Sequence, residues 1–154
     1  DFAVSTQNLR DKTVLAFSGD KIRSLTINNS RTLKVQKKRE QSKDGKKIYW
    51  QSSKGKSLNK KKIEDFLSSL NNLECASFYD RKALKQAESP DYRIGLKGKK
   101  THTLELYVQE KDKKEIFQGT SSYSDYAFKL KEYQGRKIRD KVRSLLSQLH
   151  PKLN

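Results

Sequence analysis

The chain predicts an α+β fold, because its apolar residues change spacing from two to three or four and back again, and because the polar breaks between the period-two stretches are short. About six to seven strands in antiparallel meanders are expected to pack with one long central helix, a C-terminal helix and a short N-terminal helix. Residues 1–154 are read as a single α+β domain, a length that suits one hydrophobic core. Hydrophobic residues make up 32% and charged residues 34% of the sequence. A small ordered core under a very polar surface accommodates both figures.

The elements follow in order. "LRDKTVLAF", near the start of the chain, reads as a short helix over residues 9–17. Ser18-Gly19-Asp20 is a turn signal, after which Leu25 and Ile27 in "IRSLTI" stand at strand spacing. Asn28-Asn29-Ser30 turns the chain into "RTLKVQ", and a polar loop at Asp44-Gly45 leads to "KIYWQ". In "SLNKKKIEDFLSSLNNL" the period changes: Ile63, Phe66, Leu67, Leu70 and Leu73 form one helical stripe. Asn59 is the expected N-cap, with Leu58 packing on Ile63 as a hydrophobic staple. Period two returns in "YRIGL", "THTLELYVQE", "KEIFQG" and "DYAFKLKE", where Tyr126, Phe128 and Leu130 alternate with Ala127 and Lys129. "GRKIRDKVRSLLSQLHP" then places Ile138, Val142, Leu145, Leu146 and Leu149 on one helical face, stopped by Pro151.

"LRDK" near the start is nearly repeated by "IRDK" at the start of the last helix. Laying Leu9 on Ile138 also lays Ala16 and Phe17 on Leu145 and Leu146. Two equivalent joints would each be helical, with apolar residues inward, charged residues mostly outward, and Arg136 paired with Asp140 one turn away.

Charge bounds the function. The 35 Lys and Arg against 18 Asp and Glu give +17, which attracts polyanions. The basic residues are strewn along the whole chain, a distribution that suits a solvated surface and non-specific rather than dedicated nucleic-acid binding. The single Cys75 excludes an intrachain disulfide framework, and no apolar run approaches bilayer length.

Sequence motifs for chemistry are sparse. "SSKGKS" ends like a phosphate-cradling P-loop, but the earlier glycine that such a loop needs falls at Trp50, so a solvated turn is expected there. His102 and His150 lack metal-ligand spacing, and Cys75 reads as a small packing residue. Glu64 and Asp65 are adjacent on a helix and point about 100° apart, a poor arrangement for paired acid and base work. Tyr49-Trp50, Tyr92-Arg93 and the Tyr123 to Phe128 stretch suggest a stacking platform less than core use, given their period-two placement. No catalytic, cofactor-binding or metal-binding residue is assigned, no cofactor is expected, and the binding surface is left open.

In order, "LRDKTVLAFSGDKIRSLTI", "KIYWQSS", "LNKKKIEDFLSSLNNLECASF", "SPDYRIGL" and "IRDK" resemble the bacterial family catalogued as the domain of unknown function numbered 4340. The resemblance runs over nearly the whole chain. It departs where the turn before the helix commonly carries Pro and this chain has Ser53 and Lys54. The resemblance implies tandem units, so that the chain is expected to be one unit of a longer protein. It also implies an extracytoplasmic position in the bacterial cell envelope, behind a membrane anchor outside this sequence. Protein components of an ABC-type transport system, some linked to gliding motility, are the implied partners. The expectation is therefore a non-catalytic protein-interaction or scaffold module; the alternative is a basic nucleic-acid-binding module.

Overall fold

In the computed structural model, described over residues 12–29, 31–84 and 89–149, eleven strands and two α-helices form two antiparallel sheets. The strands are β1 (Thr13–Leu15), β2 (Ser24–Asn28), β3 (Thr32–Ser42), β4 (Gly45–Ser52), β5 (Ser57–Leu58), β6 (Leu73–Glu74), β7 (Ser77–Tyr79), β8 (Tyr92–Lys97), β9 (Thr101–Lys111), β10 (Lys114–Ser121) and β11 (Ala127–Leu130). The helices are α1 (Lys60–Leu70) and α2 (Glu132–Leu149). Nine strands lie in the order β5-β4-β3-β2-β8-β9-β10-β11-β7, and β1 pairs with β6 in a separate ribbon.

The expected α+β class stands, and its finer arrangement differs. Two meanders, β2-β3-β4 and β8-β9-β10-β11, are joined at an antiparallel seam that sets Ile27 opposite Ile94 and Leu25 opposite Leu96. Strand periodicity reports faces, not partners, so it shows two meanders without the ladder between them. The central helix is the shorter one, 11 residues against 18 for α2. Asn59 caps α1 as expected, accepting from the Lys62 N–H at 3.1 Å. α1 stops before Leu73, which sits in β6, because Asn72 takes a left-handed conformation at φ 58°.

One face of the large sheet carries the core. Leu25, Ile27, Leu33, Val35, Ile94, Leu96, Leu104, Leu106 and Phe117 point to it, where Ile63, Phe66 and Leu70 of α1 and Ile138, Val142 and Leu145 of α2 are also buried. α2 comes close because Gly135 lies on the Phe117 ring; an added Cβ there would meet ring carbons at 2.1–2.5 Å. β9 and β10 turn on Asp112 and Lys113, both left-handed at φ 52° and 66°, the conformation of a tight type I′ hairpin. Trp50 and Phe128 enter the core as expected. Tyr126 does not: β11 begins one residue later, and Tyr126 stays 47% exposed against Phe78.

The expected N-terminal helix is corrected. Leu9, Arg10 and Asp11 lie outside the described residues, but Thr13–Leu15 is a strand. Its polar backbone is met from far along the chain, so extended structure loses nothing to a helix. The Cys75 N–H donates to the Lys12 carbonyl at 2.9 Å, the Ser121 hydroxyl donates to the Val14 carbonyl, and the Phe17 N–H donates to Asn71 Oδ1 at 3.0 Å. β-branched Thr13 and Val14 favour that state. Residues 13–15 are thus extended where the positions laid on them, 142–144, are helical, and the repeated tetrapeptide carries no support for tandem units.

A candidate basic cleft

Beyond Leu25 and Val35 the core face of the sheet changes character. On β3, Leu33 and Val35 are buried, and Lys37 and Arg39 continue the same alternation beyond them. On the β2 line, Arg23 precedes Leu25 and Ile27 at the same parity. The Lys37 N–H donates to the Arg23 carbonyl and the Arg23 N–H to the Lys97 carbonyl, both at 2.8 Å, so Arg23 remains in the sheet. The face that is apolar at Leu25, Leu33 and Val35 is basic at Arg23, Lys37 and Arg39.

Two turns complete the enclosure. Ser24 faces both Gln36 and Lys97, which puts the β8–β9 turn at the same end of the sheet as the β3 extension. That turn packs on the 3-10 turn Gly19–Lys21, and Gly98 is needed there: an added Cβ would lie 2.3 Å from the Lys21 carbonyl oxygen. The result is a cleft of about 460 Å³ lined by Lys21, Arg23, Lys37, Arg39 and Lys99 with a single carboxylate, Asp20.

The cleft's cations are available. Lys37 donates to the Asp20 backbone carbonyl at 3.3 Å, and among the described residues Lys21, Arg23, Arg39 and Lys99 have no side-chain ion pair. Four arginines elsewhere, Arg81, Arg93, Arg136 and Arg139, are committed. Arg93 pairs with Glu105 at 3.6 Å, and Arg81 donates to the carbonyls of Ser121 and Ser124 at 3.1 and 2.8 Å. A planar guanidinium with its donors unused suits bidentate carboxylate or phosphate recognition. Like charges facing one another across a ladder are unfavourable, and an anion in the cleft relieves that.

A second charged cluster has a different character. Glu115 on β10 takes both terminal nitrogens of Arg139, at 2.8 Å for Nη2 to Oε1, and the Arg136 Nε at 3.1 Å. Arg139 also stands over the Phe117 ring at 5.5 Å. The Arg139 bonds first, then those of Arg136, pull the Glu115 carboxyl down to about 2 against partial burial. Paired in this way, the cluster is a strut between β10 and α2. It also corrects the expected Arg136–Asp140 pair: Arg136 turns to Glu115 and Glu132. Arg139 of "IRDK", expected outward, has a side chain only 16% exposed.

The residues weighed in the sequence fall as follows. Cys75 is buried, and desolvation pushes its thiol up to about 11, so little thiolate forms at neutral pH. His102 packs beside Phe17 with ring centroids 5.8 Å apart, and His150 lies outside the described residues. Glu64 pairs with Lys60 at 3.6 Å. The "SSKGKS" turn is closed on itself: Ser52 Oγ accepts from the Lys56 N–H and the Gln51 amide donates to the Gly55 carbonyl. Among the described residues no group of three or more His, Cys, Asp or Glu is placed to hold a metal, and no helix is long and apolar enough to cross a membrane. The cleft itself went unread in the sequence. Its signal was there: basic residues at the core-facing parity of β3, where a half-buried strand returns to apolar residues.

The family profile described as "Domain of unknown function (DUF4340)" matches residues 1–96. The chain belongs to this family. The DUF4340 match is shorter than the resemblance read over nearly the whole chain. It takes in β1 to β8 up to Leu96, and with them Lys21, Arg23, Lys37 and Arg39, while Lys99 and the Glu115–Arg139 strut lie beyond it. No curated protein and no solved structure matches the chain.

Proposed function

We propose that this DUF4340 chain is a non-catalytic interaction module on the extracytoplasmic side of a bacterial envelope, and that it receives an acidic segment of a protein partner in its basic cleft. The partner belongs to an ABC-type transport assembly, and a membrane anchor outside this sequence holds the module beside it. Envelope placement, anchoring and transport association rest on the family resemblance. The docking chemistry rests on one observation, a cleft that gathers Lys21, Arg23, Lys37, Arg39 and Lys99 with the single carboxylate of Asp20, where among the described residues none of the five cations is in an ion pair.

Charge reversal tests the docking. Arg23→Glu with Arg39→Glu removes the cleft's two guanidiniums. Lys111→Glu with Lys114→Glu makes the same net change at the β9–β10 tip, where those residues face each other at the opposite end of the sheet. Binding of a fluorescein-labelled acidic peptide at physiological salt falls at least about tenfold in the first variant and little in the second. Equal losses in both overturn the cleft as the docking site.

The charge of +17 favours one further reading, a basic module that binds nucleic acid through phosphate contacts alone. The dispersed lysines support only a sequence-independent form of it.

A further inference from the structure

β2 is shorter than the strand beside it. It begins at Ser24, opposite Gln36, whereas β3 runs on to Ser42 with β4 as its only partner strand there. Before Arg23 the chain comes in from the 3-10 turn Gly19–Lys21, so in the order β3-β2-β8 the lane of β2 is vacated at this end of the sheet. The basic cleft is that lane. Arg23 stands at its head, Lys37 and Arg39 along the β3 side, and Lys99 on the β8–β9 turn opposite. From Arg39 to Lys47 every residue of the β3–β4 hairpin is exposed.

The β3 side of the lane is an unpaired strand edge. The Lys37 N–H reaches the Arg23 carbonyl at 2.8 Å, whereas the Lys34 carbonyl takes the Ser53 N–H at 3.0 Å on the side of β4. Odd-numbered residues of β3 thus turn their backbone groups toward β2 and even-numbered ones toward β4. Arg39 and Gln41 continue the odd series into the lane, where among the described residues no strand pairs with them. An exposed edge of this kind is a template for another strand. The same edge of a second copy would bring its cations against those of the cleft, so charge selects an acidic strand. We infer that the occupant is an extended acidic segment added as a strand to the β3 edge, its backbone bonded to Arg39 and Gln41 and every second side chain, a carboxylate, turned into the cleft.

The inference rests on the docking proposed above and adds its geometry. Strand addition makes main-chain hydrogen bonds that side-chain docking does not, so backbone probes separate the two. A decapeptide alternating Glu and Thr is titrated into the full chain at physiological salt, and amide hydrogen exchange is followed residue by residue by NMR. Saturating peptide slows exchange of the Arg39 and Gln41 N–H groups at least about tenfold. The same sequence N-methylated throughout keeps every carboxylate but has no backbone donor, and it binds at least about tenfold more weakly. A peptide that binds the wild type, is lost from the Arg23→Glu/Arg39→Glu variant and slows neither amide overturns the added strand and leaves the acidic docking standing. Equal affinity for the N-methylated peptide does the same. Binding of neither peptide overturns both. A single-stranded oligo-dT that displaces the peptide and slows the same two amides as much overturns the protein segment in favour of a nucleic acid.

Discussion

Glu115 holds two arginines of α2 against β10. Its carboxyl is depressed from 4.5 to about 2 in the folded chain, chiefly by the Arg139 hydrogen bonds. A depressed carboxyl contributes stability that is fully present above its unfolded pKa and is lost as pH falls through the folded one. The strut is therefore intact above about pH 4.5 and lost toward pH 2. Chemical-denaturation midpoints measured across that window fall in the wild type; Glu115→Gln is less stable at neutral pH and has a flatter slope between the two values. A wild-type slope that survives in Glu115→Gln assigns the acid sensitivity to other carboxylates. Neither tetrapeptide hinted at this, since Arg139 and Glu115 are joined only by the packing of α2 on the sheet.

Among the elements, α1 was legible almost residue by residue, and β1 was not. The stripe of Ile63, Phe66, Leu67 and Leu70 is buried as its spacing requires, and Asn59 caps it through its own side chain. Leu70→Ala is expected to cost about 2–5 kcal/mol, against no more than about 0.5 for Lys61→Ala on the exposed side, as read by urea midpoints. Similar small effects at both positions would mean that the buried face of α1 is misassigned. β1 escaped because local pattern was a poor guide there: Ala16 and Phe17 matched a helical frame, while the carbonyls of Lys12 and Val14 found donors in Cys75 and Ser121. Only contacts from distant residues decide such a segment. The cleft was hidden for a related reason. Lys37 and Arg39 look like any strand lysine and arginine until the fold gathers them with Lys21, Arg23 and Lys99 around one cleft.

At the scale of the whole molecule the net charge of +17 is expected to draw random duplex DNA at low ionic strength. If the surface lysines do no more than release counterions, that binding collapses steeply as salt rises. Fluorescence anisotropy across a salt series measures the slope; submicromolar, sequence-dependent affinity at physiological salt would instead make nucleic acid the leading partner. The α+β class, the two meanders and both apolar helix stripes were all readable in the periods of the chain. The union of the meanders was not, since Ile27 and Ile94 carry no mark of each other.

That seam also governs how the chain reaches its fold. Each hairpin on either side closes over a short turn, whereas pairing β2 with β8 closes a loop containing β3 to β7 and all of α1. Closure entropy grows with loop length, and long-range pairing slows folding, so the meanders zip first and the seam follows. During that interval the apolar edges bearing Ile27 and Ile94 are open, and the β8 edge of a neighbouring chain fits the β2 edge as well as its own does. Refolding at rising protein concentration is thus expected to divert chains into dimers that have exchanged halves, a product that size-exclusion chromatography resolves from monomer and that dilution before refolding suppresses.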